Sequence, residues 1–521
     1  MSRRRALFAH LSAVALFILP AGCATLPAMG GRDLKEEIRA VIDAEPLDQV
    51  HWGVLIVDPD RGDTLFSRNS HRKFIPASNM KVLSTATALS LLGPDFRFQS
   101  ELWGVGTLDG VTGTLEGDLV LRAMGDPTLS KRFYPSATAS LDSLAAGLWR
   151  SGIRFVNGAL VVDASPWDST TVPGSWEVGD LPGRSAATGG IFAIGEGEVV
   201  MEISAGPEIG APATVTWWPA TPPDFDSAGF TTAPPDSARR RTTSWYPESR
   251  RLRVDGRVPL GVADTLSIAQ RDPAAVASGA LYRALGARGI IIRDGYRMEW
   301  EEGQPLGRAG CLSGHLPATS SADAGGREET GPHLPHCSHA TLLAALSSPP
   351  VVEIVEAILE PSQNWMTEQL VHALGFQLGE EGSWREGFRV EEEFLATQVG
   401  VDTLDLRLRD GSGLSAQNLV TPRAMVQILD FMRNSSNGEA YRRALAEPGE
   451  DPGTLRRRLP ELEGRLFAKT GTISNVNSLS GYLTTESGRT LIFSILTNGS
   501  GLPSSTVRRG VDGIVQIVAR R

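Results

Sequence analysis

Ser78 and Lys81 form an S-x-x-K pair within Phe74-Ile75-Pro76-Ala77-Ser78-Asn79-Met80-Lys81-Val82-Leu83, just ahead of the apolar run from Thr85 to Leu92. Where a loop becomes a helix, a serine three residues before a lysine shares one helical face with it. The amine can then take the hydroxyl proton, and the helix N-terminus adds partial positive charge beside the anion that develops. The chemistry this suits is nucleophilic acyl transfer. The pattern is common on solvated helices, so its weight rests on partners further along. Two follow in order: Ser362-Gln363-Asn364, an S-x-N, and Lys469-Thr470-Gly471, followed by Thr472. Together they supply a second hydroxyl, a carboxamide, a second amine and two threonine hydroxyls.

Elements that would position these groups can be read around them. Asp33 to Ile42 has the apolar stripe Leu34, Ile38, Val41 and Ile42 of an amphipathic helix. Trp52 to Val57 and Thr64 to Ser67 read as strands joined by the turn-forming Asp58-Pro59-Asp60-Arg61-Gly62-Asp63. The S-x-x-K helix follows and carries Leu83, Ala86, Leu89 and Leu92 inward. Val351 to Leu359 and Met366 to Leu374 are predicted helices with Ser362-Gln363-Asn364 between them, and Thr421-Pro422 is a cap followed by a first-turn proline. Val476 to Thr484 and Thr490 to Thr497 are predicted strands. The last helix starts near Ser504, with Val507, Val511, Ile514, Val515 and Val518 on one face.

The middle of the chain has a different texture. Short β-rich stretches at 112–121 and 156–163 flank a helix from Leu141 to Arg150. The stretch 143–153 has a faint echo at 280–290, each a helix and a Gly-Ile leading into a strand. Two such halves would pair into one domain. Residues 172–253, rich in Pro and alternating Thr/Val and containing Trp217-Trp218, read as a further all-β insertion, and 303–337, poor in apolar residues, as a long surface loop. Ser362 stands 284 positions beyond Ser78, and Lys469 a further 107 beyond Ser362. The chemistry therefore sits at both ends of an interrupted domain.

Composition bounds the class. The chain has 521 residues, enough for two or three domains, with 41% hydrophobic and 21% charged residues. A formal charge of −10 and only short basic runs, Arg239-Arg240-Arg241 and Arg456-Arg457-Arg458, argue against nucleic-acid binding. Arg3-Arg4-Arg5 followed by the apolar Leu7 to Leu19 reads as a bacterial-style secretion signal over 1–23, too short for an ordinary membrane span. Leu19-Pro20-Ala21-Gly22-Cys23 resembles a lipobox, with Pro20 the mismatch. A lipid on Cys23 would tether the domain, and the alternative is a cleaved soluble protein. Cys311 and Cys337, in an oxidising compartment, favour a disulfide that staples the 303–337 loop. A zinc site with His315, His333, His336 and His339 is the competing reading, although the spacing matches no standard zinc pattern, and free thiols are a third.

At this point the chain resembles a specific family, the class C low-molecular-mass penicillin-binding proteins, which are D-alanyl-D-alanine carboxypeptidases and endopeptidases of the peptidoglycan. The residues that carry the likeness are Pro76 to Lys81, Gly125-Asp126-Pro127-Thr128-Leu129, Ser362-Gln363-Asn364, Asp410-Gly411-Ser412-Gly413-Leu414-Ser415 with Asn418, and Ala468-Lys469-Thr470-Gly471-Thr472. The long interval before Ser362 fits this class, because similar β-lactamases have a far shorter one.

The resemblance implies an α/β (α+β) fold. A penicillin-binding transpeptidase-like domain, with an antiparallel sheet flanked by helices and an all-helical subdomain, would span 34–97 and 296–521. One inserted domain would span 98–171 and 254–295, and a nested β domain 172–253. It also implies roles. Ser78 attacks the carbonyl between two D-alanines, Lys81 accepts its proton, and Ser362 relays a proton to the leaving amine. Asn364 holds the substrate amide, while Lys469, Thr470 and Thr472 receive the terminal carboxylate beside Gly471. The amides of Ser78 and Thr472 form the oxyanion hole. No cofactor or metal is implied. The partners are stem peptides ending in D-Ala-D-Ala and β-lactams as covalent inhibitors.

Plainer readings stand beside these. Lys469-Thr470-Gly471 alone would be a strand end, and Ser362 would serve as N-cap to the helix at Met366. Asp410, Gly411 and Ser412 with Gly413 read either as only a turn or as a turn that lines or buttresses the cleft. Gly125-Asp126-Pro127 reads as structural, and Trp217-Trp218 as a core or rim feature, with a sugar-stacking glycan platform the alternative. The competing functions are a β-lactamase, for which no deacylating carboxylate motif is evident near Ser78, and a non-catalytic penicilloyl-binding sensor, against which the intact motifs argue.

Overall fold

The computed structural model describes residues 33–218, 225–246, 251–300 and 340–521. The 1–23 segment with Cys23, the 303–337 loop, and Cys311 and Cys337 with their neighbouring histidines lie outside the described residues.

Both ends of the chain build one antiparallel sheet. Its order is β18 (Leu466–Ile473), β19 (Val476–Thr484), β20 (Thr490–Asn498), β1 (His51–Asp58) and β2 (Asp63–Arg68). The closure is the β1–β20 pairing, with Val54 opposite Ile495. Alternation along β1 sends Val54 and Ile56 to one face and Leu55 to the other. The first face is covered by α1 (Leu34–Ile42) and α10 (Ser504–Ala519), which bury Ile38, Ile42, Val507, Val511, Ile514 and Val515. The second face carries α2 (Met80–Leu91) and α8 (Pro422–Asn434).

Every residue of α2 from Met80 to Leu89 is buried. A helix enclosed on all sides belongs at the centre of a domain. Around it pack α5 (Val351–Leu359), α6 (Asn364–Leu378), α7 (Trp384–Phe394) and α9 (Gly438–Ala444). The two-stranded pair β16 (Leu406–Arg407) and β17 (Leu419–Val420) frames the loop that contains Asp410.

The second unit is a seven-stranded sheet. Its main path is β13 (Ile291–Ile292), β5 (Phe155–Val156), β4 (Thr114–Arg122), β3 (Gln99–Asp109) and β15 (Ala340–Ser347), with β6 (Leu160–Asp163) and β14 (Tyr296–Glu299) attached. The internal echo is real at this level. Helix α3 (Ala139–Arg150) leads into β5 and β6, and α4 (Pro273–Ala287) leads into β13 and β14. The halves meet as parallel pairs, β5 with β13 and β6 with β14.

Three expected boundaries shift. β14 and β15 belong to this second sheet, not to the catalytic domain that the sequence places at 296–521. β15 runs antiparallel to β3 and buries Leu343 and Ala344 in the second core. The nested β unit consists of the sheets β10 (Arg240–Tyr246), β11 (Arg251–Pro259), β9 (Phe225–Ala233) and β12 (Ala263–Ala269), β7 (Glu198–Ser204), β8 (Thr214–Trp218). It therefore runs past residue 253 to Ala269, because β11 and β12 find their edges there. Residues 176–185 precede the first strand of that unit and face two ways: Gly183 bridges to Ile268 of β12, while Trp176 and Ser185 lie against the elements carrying the candidate site.

Candidate active site

Pro76 ends the approach to the Ser78 turn. Ala77 adopts φ 48°, an unusual conformation for a residue with a side chain, and a single 3-10 turn over Ala77–Asn79 then feeds α2. Ser78 thus sits half-buried at the mouth of the helix, with Lys81 three residues on and fully buried.

Lys81 Nζ has three neighbours: Ser78 Oγ at 3.1 Å, Asn364 Oδ1 at 2.7 Å and the carbonyl oxygen of Ser412 at 2.6 Å. The last two only accept hydrogen bonds. A neutral amine donates to both and keeps its lone pair for the hydroxyl of Ser78, which is the arrangement of a general base. Burial lowers Lys81 to about 7, against the opposing charges of Glu368 and Asp410. Lys469 is also fully buried and is held well below the ordinary lysine value by burial and by the proximity of Lys81.

The S-x-N segment opens α6. The N-cap is Gln363, whose Oε1 accepts from Met366 N at 3.2 Å. This corrects the expectation that Ser362 caps the helix. Ser362 stands outside it at φ 65°, since a long Gln side chain can fold back to the first turn. Asn364 donates through Nδ2 to the carbonyl of Ser185 at 2.7 Å, which orients its amide with the oxygen toward Lys81.

The K-T-G segment lies on β18, beside the Ser78 turn. Asn79 Nδ2 donates to the carbonyl of Lys469 at 3.0 Å and to Ser478 Oγ at 2.7 Å, and Ser478 Oγ donates to the carbonyl of Pro76 at 2.7 Å. The approach is so close that a Cβ on Gly471 would stand 2.9 Å from Ser78 N and 2.2 Å from Ser478 Oγ. Lys469 Nζ donates to the carbonyl of Thr470 at 3.0 Å, Thr470 Oγ1 donates to Thr454 Oγ1 at 2.8 Å, and the Thr472 side chain is exposed.

The Asp410 loop closes the inner wall. Asp410 accepts from Gly413 N at 2.7 Å, Ser415 N at 2.5 Å, Asn418 Nδ2 at 2.7 Å and Trp176 Nε1 at 2.7 Å. Gly413, at φ 81°, lets the loop touch the Ser78 turn, because a Cβ there would meet the carbonyl oxygen of Ala77 at 1.8 Å.

The structure therefore brings Ser78, Lys81, Asn364 and Ser412 into direct contact, and sets Lys469 and Gly471 against the same turn. Ser362 enters only through its place two residues before Asn364. Sequence reasoning missed Asn79, Trp176, Ser185 and Glu368. For Glu368 a signal existed, since it lies four residues after Asn364 and so on the same helical face. Trp176 and Ser185 belong to a stretch assigned to the β insertion, and nothing local marks them.

Most of the chain has known counterparts. The family model described as D-Ala-D-Ala carboxypeptidase 3 (S13) matches residues 34–304 and 331–521. A D-alanyl-D-alanine carboxypeptidase of Actinomadura sp. (strain R39) is 32% identical over 518 residues, covering 96% of this chain and 88% of that protein. The D-alanyl-D-alanine carboxypeptidase DacB of Haemophilus influenzae is 24% identical over 457 residues, 86% of this chain and 85% of that protein. The crystal structure of penicillin binding protein 4 (dacB) from Haemophilus influenzae superposes with a TM-score of 0.73 at 22% identity, covering 93% of this chain and 99% of that one. With its S-x-x-K, S-x-N and K-T-G motifs on one such fold, the chain belongs to the D-Ala-D-Ala carboxypeptidase 3 (S13) family and is a peptidase.

Proposed function

We propose that the protein is a serine-type D-Ala-D-Ala carboxypeptidase and DD-endopeptidase that acts on peptidoglycan stem peptides through an acyl-enzyme on Ser78. The observation that carries this is the Lys81 amine, 3.1 Å from Ser78 Oγ and held on its other sides by acceptors alone.

In this reading Lys81 removes the hydroxyl proton as Ser78 Oγ attacks the carbonyl between two D-alanines. The oxyanion is received by the amides of Ser78 and Thr472, at ~3 kcal/mol per donor. Ser362 passes a proton to the leaving amine, and the C–N bond breaks to release D-Ala. Asn364 holds the substrate amide. Lys469, Thr470 and Thr472 receive the terminal carboxylate, whose arrival restores positive charge on the buried Lys469 amine by pairing it. Water then hydrolyses the ester, with Lys81 available again as base. When the leaving amine belongs to a crosslinked peptide, the same steps cleave the crosslink. A β-lactam enters as an acylating mimic of the substrate and stays on Ser78. One solved structure with this fold is penicillin binding protein 4 from Haemophilus influenzae complexed with a β-lactam.

The protein works outside the cytoplasmic membrane, exported by residues 1–23 and, if processed at Cys23, held there by lipid. Among the described residues no helix is long and apolar enough to cross a membrane. The mass of the mature N-terminus, with Cys23→Ser as comparison, checks the tether. A single diacylated species in the wild type supports it, and an unmodified N-terminus refutes it.

The activity is tested by incubating the purified protein with a pentapeptide ending in D-Ala-D-Ala and measuring freed D-Ala, with Ser78→Ala as control. Release by the wild type alone is expected. Equal, negligible release by both would end the assignment.

A further inference from the structure

Glu368 takes part in none of these steps, yet it is tied to them through one loop. It is buried on α6, one turn beyond Asn364. Its Oε1 accepts from Ser412 N at 2.8 Å, and its Oε2 accepts from Gly411 N at 3.0 Å and from Trp384 Nε1 at 2.8 Å. Ser412 is also the residue whose carbonyl oxygen holds Lys81 Nζ at 2.6 Å. The amide side of this loop is thus anchored on Glu368 while its carbonyl side holds the base. Asp410 ties the flanks of the same loop to Gly413 and Ser415.

We propose that Glu368 is a positioning residue for acyl transfer: by gripping the amides of Gly411 and Ser412 it fixes the carbonyl that aims the Lys81 lone pair at Ser78. The proposal rests on the Ser78–Lys81 reading above. Without the carboxylate, two buried amides lose their partner and the loop must move to satisfy them. A shift of the base by even an ångström costs about a hundredfold in rate.

Charge gives a second handle. Lys81 is faced by Glu368 from α6, by Asp410 from its loop and by Lys469 from β18. Glu368 is itself pushed up to about 7 by burial first and then by Asp410, with its three donors opposing. Glu391 of α7 also lies near it, whereas His372, one turn on, faces Gly382. The negative charge of Glu368 favours the protonated form of Lys81. Replacing it with a neutral amide therefore lets Lys81 act as base at lower pH.

The test compares the wild type with Glu368→Gln and Glu368→Asp. It measures the acylation rate constant with a chromogenic penicillin across the pH range around neutrality, kcat and KM for D-Ala release, and the melting temperature. Glu368→Gln is expected to lower the plateau acylation rate by about a hundredfold, chiefly in kcat, and to move the pH-dependent rise to lower pH. Glu368→Asp keeps the charge, so its rise stays in place while its shorter reach slows the plateau. An unchanged plateau rate, or an unmoved rise in Glu368→Gln, overturns the proposal. If Glu368→Gln does not fold, an unslowed Glu368→Asp overturns it instead. A wild type that forms no penicillin adduct at all refutes the Ser78 reading beneath it, which is a separate and distinguishable result.

Discussion

Asn364 Oδ1 lies 2.7 Å from Lys81 Nζ, although the two residues are 283 positions apart in the chain. This bond joins the S-x-x-K and S-x-N motifs and gives the amine one of the two acceptors that leave its lone pair to Ser78. Asn364→Asp keeps the shape and adds a negative charge at that distance. The charge stabilises protonated Lys81 and moves the rise of activity to higher pH. At neutral pH the acylation rate should fall by at least about tenfold, with recovery on raising the pH. A rate–pH profile for the two proteins decides it.

Lys81 should itself govern the acid side of the profile. Its amine is lowered to about 7 by burial, and only the neutral form accepts the proton. Acylation by penicillin is therefore expected to rise as pH increases through about 7 and to level off above it. Lys81→Met, which fills the same buried space without the base, should lose about 10²–10⁴ in acylation rate and remain folded by circular dichroism.

Gly471 tests how closely β18 must approach the Ser78 turn. Alanine there would place Cβ 2.2 Å from Ser478 Oγ and 2.8 Å from the carbonyl oxygen of Pro76. Gly471→Ala should destabilise the protein by about 1–3 kcal/mol in a denaturant titration. Acylation should suffer more than stability, because the displaced groups are the ones that hold the Ser78 turn.

A buried acid away from the reaction sets a pH dependence of stability. Glu391 of α7 is fully buried and raised to about 8, chiefly by burial; Ser84 lies near enough to oppose the shift slightly, but neither carboxyl oxygen is in hydrogen-bond geometry among the described residues. The folded protein thus holds a proton that the unfolded chain releases near 4.5. The resulting stabilisation is full below that value and is lost as pH rises toward about 8. Glu391→Gln removes the titration, so the variant should gain on the wild type in thermal stability as pH rises across that window.

Much of this was legible locally. The i,i+3 spacing of Ser78 and Lys81 needs only a helix to become a contact, and the α10 stripe from Val507 to Val518 needs only the period of one. Helix α5 and strand β19 occupy the spans expected from periodicity, Val351–Leu359 and Val476–Thr484. Most of the errors are of long range. Which sheet edge receives β15 depends on β3, more than two hundred residues earlier, and no pattern within Ala340–Ser347 states that. Trp176 reaches Asp410 across 234 positions. The exchange of Ser362 for Gln363 as cap is a different failure. Either side chain can accept from the first turn, and the left-handed backbone at Ser362 decides between them.

The central claim is that Ser78 carries the acyl group, and peptide mapping by mass spectrometry after exposure to benzylpenicillin tests it most directly. The account predicts one penicilloyl adduct per molecule on the peptide containing Ser78, absent in Ser78→Ala. An adduct on any other peptide, or one that persists in Ser78→Ala, would contradict it.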